Sequence, residues 1–140
     1  MEGAVAMKAF PLKIVTPYGA VYDGQAEEVV VRTTTGDMGI LAGHMACVAP
    51  LGMGRTTVVT DGKKRYGACI GGLVSVANGA VKIVATTFEW AEEIDLGRVE
   101  AALEKAKTVL SDKAASDTDR QLAEARRKRA LVRKSVAESK

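Results

Sequence analysis

The chain has one histidine, His44, and two cysteines, Cys47 and Cys69, in 140 residues. That scarcity removes most of the chemistry a small domain can host. A Ser-His-Asp or Cys-His triad needs a base held by an orienting acid. The segment around His44, "GDMGILAGHMACVAPLGMG", contains no serine nucleophile, and Cys47 reads as a small apolar side chain rather than a thiolate. A zinc site needs several His or Cys ligands at compatible spacing, and scattered single residues do not supply them, so no metal is expected. There is no CxxC pair and no secretion signal, so the cysteines read as reduced, intracellular thiols. The opening "MEGAVAMKAF" is too short and polar for a signal peptide, lacks transit-peptide character, and offers Met7 as an alternative start. The longest charge-free runs, 38–54 and 66–81, fall short of the roughly 18–20 apolar residues a membrane span requires. A phosphate-binding P-loop is also missing: in "TDGKKR", Lys64 stands where Ser or Thr is needed and Thr57 where the first Gly belongs. No catalytic residue is assigned.

What is present falls into two halves. From Met7 to about Thr87, short β-rich runs alternate with turn signals: "FPLKIVT" precedes "PYG", and "AEEVVVRTT" precedes "TGDMG". Asp61-Gly62 joins "RTTVVT" to "KKRYGACI", and Asn78-Gly79 joins "GLVSVA" to "AVKIVAT". Asp-Gly and Asn-Gly tolerate the positive φ of a type I′ turn, so both pairs predict tight hairpins. The spacing predicts an all-β sandwich or barrel. The unalternating Val29-Val30-Val31 predicts a strand buried on both faces.

After Trp90, glycine nearly disappears and Ala, Glu, Lys and Arg dominate. Asp95 is placed to cap a helix carrying Leu96, Val99, Leu103, Ala106 and Leu110 at helical spacing. "SDKAASDTD" breaks the pattern, and a second helix over roughly 119–137 carries Leu122, Ala125, Val132 and Val136, with Arg129 interrupting that face. The fold class is therefore α+β, β then α: an N-terminal antiparallel β-sandwich followed by a C-terminal antiparallel two-helix hairpin. The boundaries read as an extension at 1–6, the sandwich at 7–89 and the hairpin at 90–140. Thin, alanine-rich faces bury little area, and at ~25 cal/mol per Å² they hold a hairpin weakly.

Net charge is only +3, but residues 118–140 concentrate Arg120, Arg126, Arg127, Lys128, Arg129, Arg133, Lys134 and Lys140. This is either a solvated helix face or a surface for an acidic partner. Aromatics make up 4% of the chain and are absent from this helix, which disfavours nucleic acid.

The order of these features resembles the epsilon subunit of the bacterial F-type rotary ATP synthase, from about Met7 to Lys140. The resemblance rests on "IVTPYGAVYDG", "GDMGILAGH", "GGLVSV", "EWAEEIDLGR" and "RALVRKSVAE". It implies a non-catalytic central-stalk subunit, bound to gamma and to c-ring loops and helping to transmit torque in proton-driven ATP synthesis. It also implies a hairpin that can extend along gamma and inhibit ATP hydrolysis. Membrane association then comes only through the complex, peripherally, at the cytoplasmic face of the bacterial plasma membrane. Asp37 and His44 match positions that face the c-ring loops and gamma. Asp37 stands where Glu is common, and Ala42 where Pro is usual, which should loosen the segment. Arg126, Arg127, Lys128 and Arg129 correspond to the basic stretch that meets an acidic segment of the beta subunit, within the alpha/beta head.

Some family members also bind ATP through an Ile/Leu-Asp-x-x-Arg-Ala motif. Ile94, Asp95 and Arg98 match it, while Val99 replaces the Ala; Glu89, Arg129 and Arg133 match further positions. The arginines would neutralise phosphate charge, and Glu89 or Asp95 would accept from an adenine amine. ATP is thus a regulatory ligand that the resemblance implies, with no cofactor required. Gly97 and Val99 point to weak affinity. On the residues alone, Asp95 serves equally as a helix cap. Two other readings stand beside the family: a stand-alone small-ligand sandwich with a helical lid, and a nucleic-acid binder acting through 118–140.

Overall fold

The computed structural model describes residues 8–139, so the extension assigned to 1–6 lies outside the described residues. Seven strands come first: β1 Phe10–Thr16, β2 Gly19–Ala26, β3 Glu28–Thr33, β4 Gly36–Leu41, β5 Cys47–Thr60, β6 Lys63–Ala77 and β7 Ala80–Trp90. A 3-10 turn over Ala91–Glu93 leads into α1, Leu96–Ser111, and α2, Asp117–Ala137. Both predicted hairpin turns form, with positive φ at Asp61, Gly62, Asn78 and Gly79. The strands make one sheet in the order β2-β1-β7-β6-β5-β3-β4. Its two halves close over a shared core that includes Leu12, Ile14, Val29, Val31, Ile40, Val74 and Ile83. Where β2 meets the end of β5, the Tyr22 hydroxyl lies 3.4 Å from that of Thr60.

Three local expectations need correction. "TGDMG" is not a turn: Gly36–Leu41 forms strand β4, and Asp37 pairs opposite Arg32 of β3. The turn is made by Thr34 and Thr35, fastened by the Thr33 hydroxyl, which the Thr35 amide meets at 3.2 Å. The sandwich is not wholly antiparallel, because β1 and β7 run parallel. Hairpin signals govern only neighbouring strands, whereas these two are joined through the entire domain. Finally, β3 alternates after all. Val29 and Val31 enter the core, while Val30 is half-buried and turns outward toward α2.

The long strands β5, β6 and β7 change the face they turn inward halfway along. In β7, Val81, Ile83 and Ala85 are buried in the core, but beyond Thr86 it is Phe88 and Trp90 that are. In β6 the core residues are Cys69 before the switch and Val74 and Val76 after it. The ladder skips Gly52, Gly71 and Thr86, which lie abreast across the three strands. Gly71 and Gly72 carry φ of 73° and 135°, values L side chains rarely adopt. Each strand thus presents two outer surfaces. One, with Tyr66, Ala68 and Glu89, lies under the hairpin; the other, with Pro50, Leu73 and Val84, is bare.

Asp95 caps α1 as expected, its Oδ1 accepting from the Gly97 and Arg98 amides at 2.9 and 3.3 Å. Ser116 caps α2. Of the expected face of α2, Val136 is buried and Val132 packs against the same cluster, but at the far end the seam runs through Ala123 rather than Leu122. Ala123, Ala130 and Ala137 are buried at seven-residue intervals, whereas Leu122 is 51% exposed, and Leu96 of α1 is likewise exposed. An alanine seam lets the helices approach closely, and a leucine there would hold them apart. The hairpin is folded onto the sandwich through Ala68, Ile94, Val99, Ala130 and Val136.

Gly72 supports the face switch most directly, because a Cβ there would overlap the Val84 carbonyl oxygen. Gly72→Ala is expected to destabilise the domain by more than about 2 kcal/mol, read from urea unfolding. A loss under about 0.5 kcal/mol would contradict the role given to that glycine.

Candidate functional site

Folding of the hairpin creates a cleft of about 250 Å³ between β7, the start of α1 and α2. Glu89, Glu93, Ile94, Asp95, Arg98, Val99 and Arg133 line it, over a floor that includes Ala102 and Ala130. A second cleft of about 330 Å³ shares Ala102, Ala130 and Arg133 with the first and adds Lys105, Arg126 and Arg129. The two form one groove along the helix pair. All the residues predicted for a nucleotide site lie in it: Glu89, Ile94, Asp95, Arg98 and Arg133 at one end, Arg129 further along. Glu93 and Lys105 were not anticipated. Lys105 stands seven residues, two helical turns, after Arg98, and that interval was the available signal.

The acids facing the groove are already bonded to the protein. Glu89 accepts from the Arg133 Nε at 2.8 Å, and Glu93 from the Trp90 amide at 3.0 Å. Asp95 is occupied by its cap, so the cap reading of Asp95 holds whatever else it does. By contrast, Arg98, Lys105, Arg126 and Arg129 have no side-chain partner among the described residues. The carboxylates cluster at the Glu89–Asp95 end, while Lys105, Arg126 and Arg129 give the groove an excess of cations further along, with guanidinium donors suited to a polyanion. Val99 fills part of its wall with a β-branched side chain, as its burial shows.

The basic run of α2 does not share one face. Arg126 and Arg129 turn to the groove, Arg127 pairs with Glu124 at 3.0 Å, and Lys128 is exposed. Asp37 and His44 are not brought together either. Asp37 sits near the start of β4 in a 2.7 Å ion pair with Arg32, beside α2. His44 lies beyond the other end of that strand, its Nδ1 2.8 Å from the Met45 carbonyl oxygen. The Ala42-Gly43 turn between them is closed by the His44 amide donating to Leu41 at 3.1 Å.

Past His44 begins a surface that the sequence did not announce. Pro50, Leu73, Val84 and Val15 stand directly opposite one another across four strands. Leu73 and Val84 are 42% and 45% exposed, and Val48 beside them 66%. An apolar row this exposed on a well-packed sheet marks a contact surface. Burial pushes the Cys69 thiol up to about 11, with the Thr56 hydroxyl offsetting slightly, so it stays protonated at neutral pH. Among the described residues no three His, Cys, Asp or Glu side chains group to hold a metal, and no helix is long and apolar enough to cross a membrane.

The chain matches the family "ATP synthase, Delta/Epsilon chain, beta-sandwich domain" over residues 9–91. It is 39% identical over 131 residues to the ATP synthase epsilon chain of Caldanaerobacter subterraneus subsp. tengcongensis, covering 93% of this chain and 94% of that one. With the epsilon chain of Bacillus subtilis it shares 44% identity over 113 residues, 81% and 85% of the two chains. The chain belongs to the ATP synthase epsilon chain family. As an epsilon chain it is a non-catalytic subunit of the synthase. A solved relative is a chain of the Euglena gracilis mitochondrial ATP synthase, in an assembly of OSCP, F1 and c-ring. The two superpose with a TM-score of 0.73 at 26% identity, over 97% of this epsilon chain and 82% of the other.

Proposed function

We propose that this epsilon chain works in the central stalk, coupling gamma and the c-ring to the catalytic head during proton-driven ATP synthesis. Its station is then peripheral, at the cytoplasmic face of the bacterial plasma membrane. The bare row Val15–Val84–Leu73–Pro50 is the natural seat for gamma. His44 continues that surface toward the c-ring loops, whereas Asp37 contributes from the opposite end of β4. The hairpin restrains ATP hydrolysis when it leaves the sandwich, and Arg126, Arg127, Lys128 and Arg129 then meet an acidic segment of the beta subunit.

ATP is the ligand proposed for the groove. The observation that carries this is the row of Arg98, Lys105, Arg126 and Arg129, which have no side-chain partner among the described residues, along a groove that exists only while the hairpin is folded. A triphosphate would satisfy Arg98 and Arg129 while its base lies toward Ile94. Because the site requires the folded state, bound ATP stabilises that state by RT ln(1 + [L]/Kd), about 2.7 kcal/mol at a hundredfold excess over Kd. That is enough to reset a hairpin held by a small alanine-rich cluster and the half-exposed Glu89–Arg133 ion pair. A small-ligand sandwich acting alone would use the same groove but would leave the bare row unexplained.

Two measurements test this reading. Capture of the chain by the gamma subunit is expected at physiological salt, weakened at least about tenfold by Leu73→Asp, which places a charge in the row. Absence of any stable complex with the unaltered chain would remove the stalk assignment. Titration with ATP, followed by hairpin closure, is expected to saturate, with Arg98→Ala weakening it about tenfold or more. A flat titration up to about millimolar ATP, an affinity near −4 kcal/mol, would remove the nucleotide site.

A further inference from the structure

The pairing of Glu89 with Arg133 goes beyond that reading and rests on it. Glu89 is on β7 past the point where the strand switches faces, so its side chain points out of the core and into the groove. Arg133 reaches it from α2, one turn after Arg129, through Nε at 2.8 Å, and the two side chains are 26% and 41% exposed. The pair thus ties the second helix to a strand of the sandwich. The other ion pairs of the hairpin have a different effect: Lys134–Glu100 at 3.2 Å joins α2 to α1, and Arg127–Glu124 lies within α2. Neither holds the hairpin down. Both members of the Glu89–Arg133 pair also line the proposed ligand cleft. A guanidinium forms its strongest bonds with an oxyanion, and a carboxylate and a phosphate present equivalent acceptors to it.

We propose that Glu89 is a built-in stand-in for the ligand's anionic group: its carboxylate holds Arg133, and so the hairpin, while the groove is empty, and an arriving phosphate takes over that guanidinium. Two consequences follow. The empty protein is latched shut but not strongly, since a half-exposed ion pair contributes modestly. Ligand binding replaces this contact rather than adding to it, so the chain's response to ATP is graded down by its own carboxylate. Nitrogen donors remain on Arg133 for either acceptor, but the side chain cannot serve both at full strength.

The test is hydrogen exchange of the α2 amides over residues 126–137 in the full chain, with and without saturating ATP. Glu89→Gln keeps the shape and removes the charge; the near-ultraviolet signal of Trp90, buried in the sandwich core, verifies folding. Without ATP, exchange in Glu89→Gln is expected to be about two- to fivefold faster than in the unaltered chain. With ATP raised until each chain is separately saturated, since Glu89 itself lines the cleft, the two are expected to converge, because the ligand then holds Arg133 in both. Arg133→Gln is expected to exchange fast without ATP and to be protected less by it. Equal exchange without ATP would overturn the latch, and a difference undiminished at saturation would overturn the replacement. If ATP protects α2 in neither chain, the nucleotide site fails and the stand-in fails with it. The ligand-free comparison still reports the latch separately.

Discussion

The line Gly52, Gly71, Thr86, where β5, β6 and β7 exchange their inner and outer faces, is the constraint on which the molecule depends. A strand with strict period-two alternation has one outer surface. A strand that switches faces has two, pointing different ways, and here only one of them is covered by the hairpin. Below the line, Tyr66, Ala68 and Glu89 form the bed of the hairpin. Above it, Pro50, Leu73 and Val84 stay uncovered. The positive φ of Gly71 and Gly72 makes this geometry available, and the Val84 carbonyl leaves no room for a side chain at Gly72. The coupling and the regulation proposed above would thereby fall on separate surfaces of one small domain.

The hairpin lies at the weak end of the energetic scale. Its seam is alanine, Leu96, Leu122 and Leu131 remain exposed, and it meets the sandwich through one small apolar cluster around Ala68, Ile94 and Val136, a half-exposed ion pair and the Arg55–Ser139 hydrogen bond at 3.1 Å. Such an element opens locally at far lower cost than the sandwich unfolds. A mechanism based on moving it needs that difference.

Much of this was legible in the sequence. Asp-Gly and Asn-Gly fixed two hairpins through positive φ, and Asp95 and "SDKAASDTD" fixed the helix start and break. Arg129 interrupting an apolar face pointed to the groove. The rest depended on contacts between distant residues. Gly71-Gly72 could be recognised as family text, yet what it does, turning β6 over, shows only in the cross-strand register. Pro50, Leu73 and Val84 come from three strands and form a row only once those strands pair. "TGDMG" carried turn residues but was captured as an edge strand by β3, with the Arg32–Asp37 ion pair supporting the register. The bonding of Glu89 to Arg133, 44 residues apart, has no local signal.

The central claim is that ATP held in the groove keeps the hairpin off the catalytic head. It is tested most directly by ATP hydrolysis in the assembled synthase, comparing the full chain with one ending at Asp95, as ATP is lowered. The account predicts similar rates at high ATP and a growing deficit for the full chain as ATP falls. A ratio of the two rates that stays constant across the ATP range would contradict it.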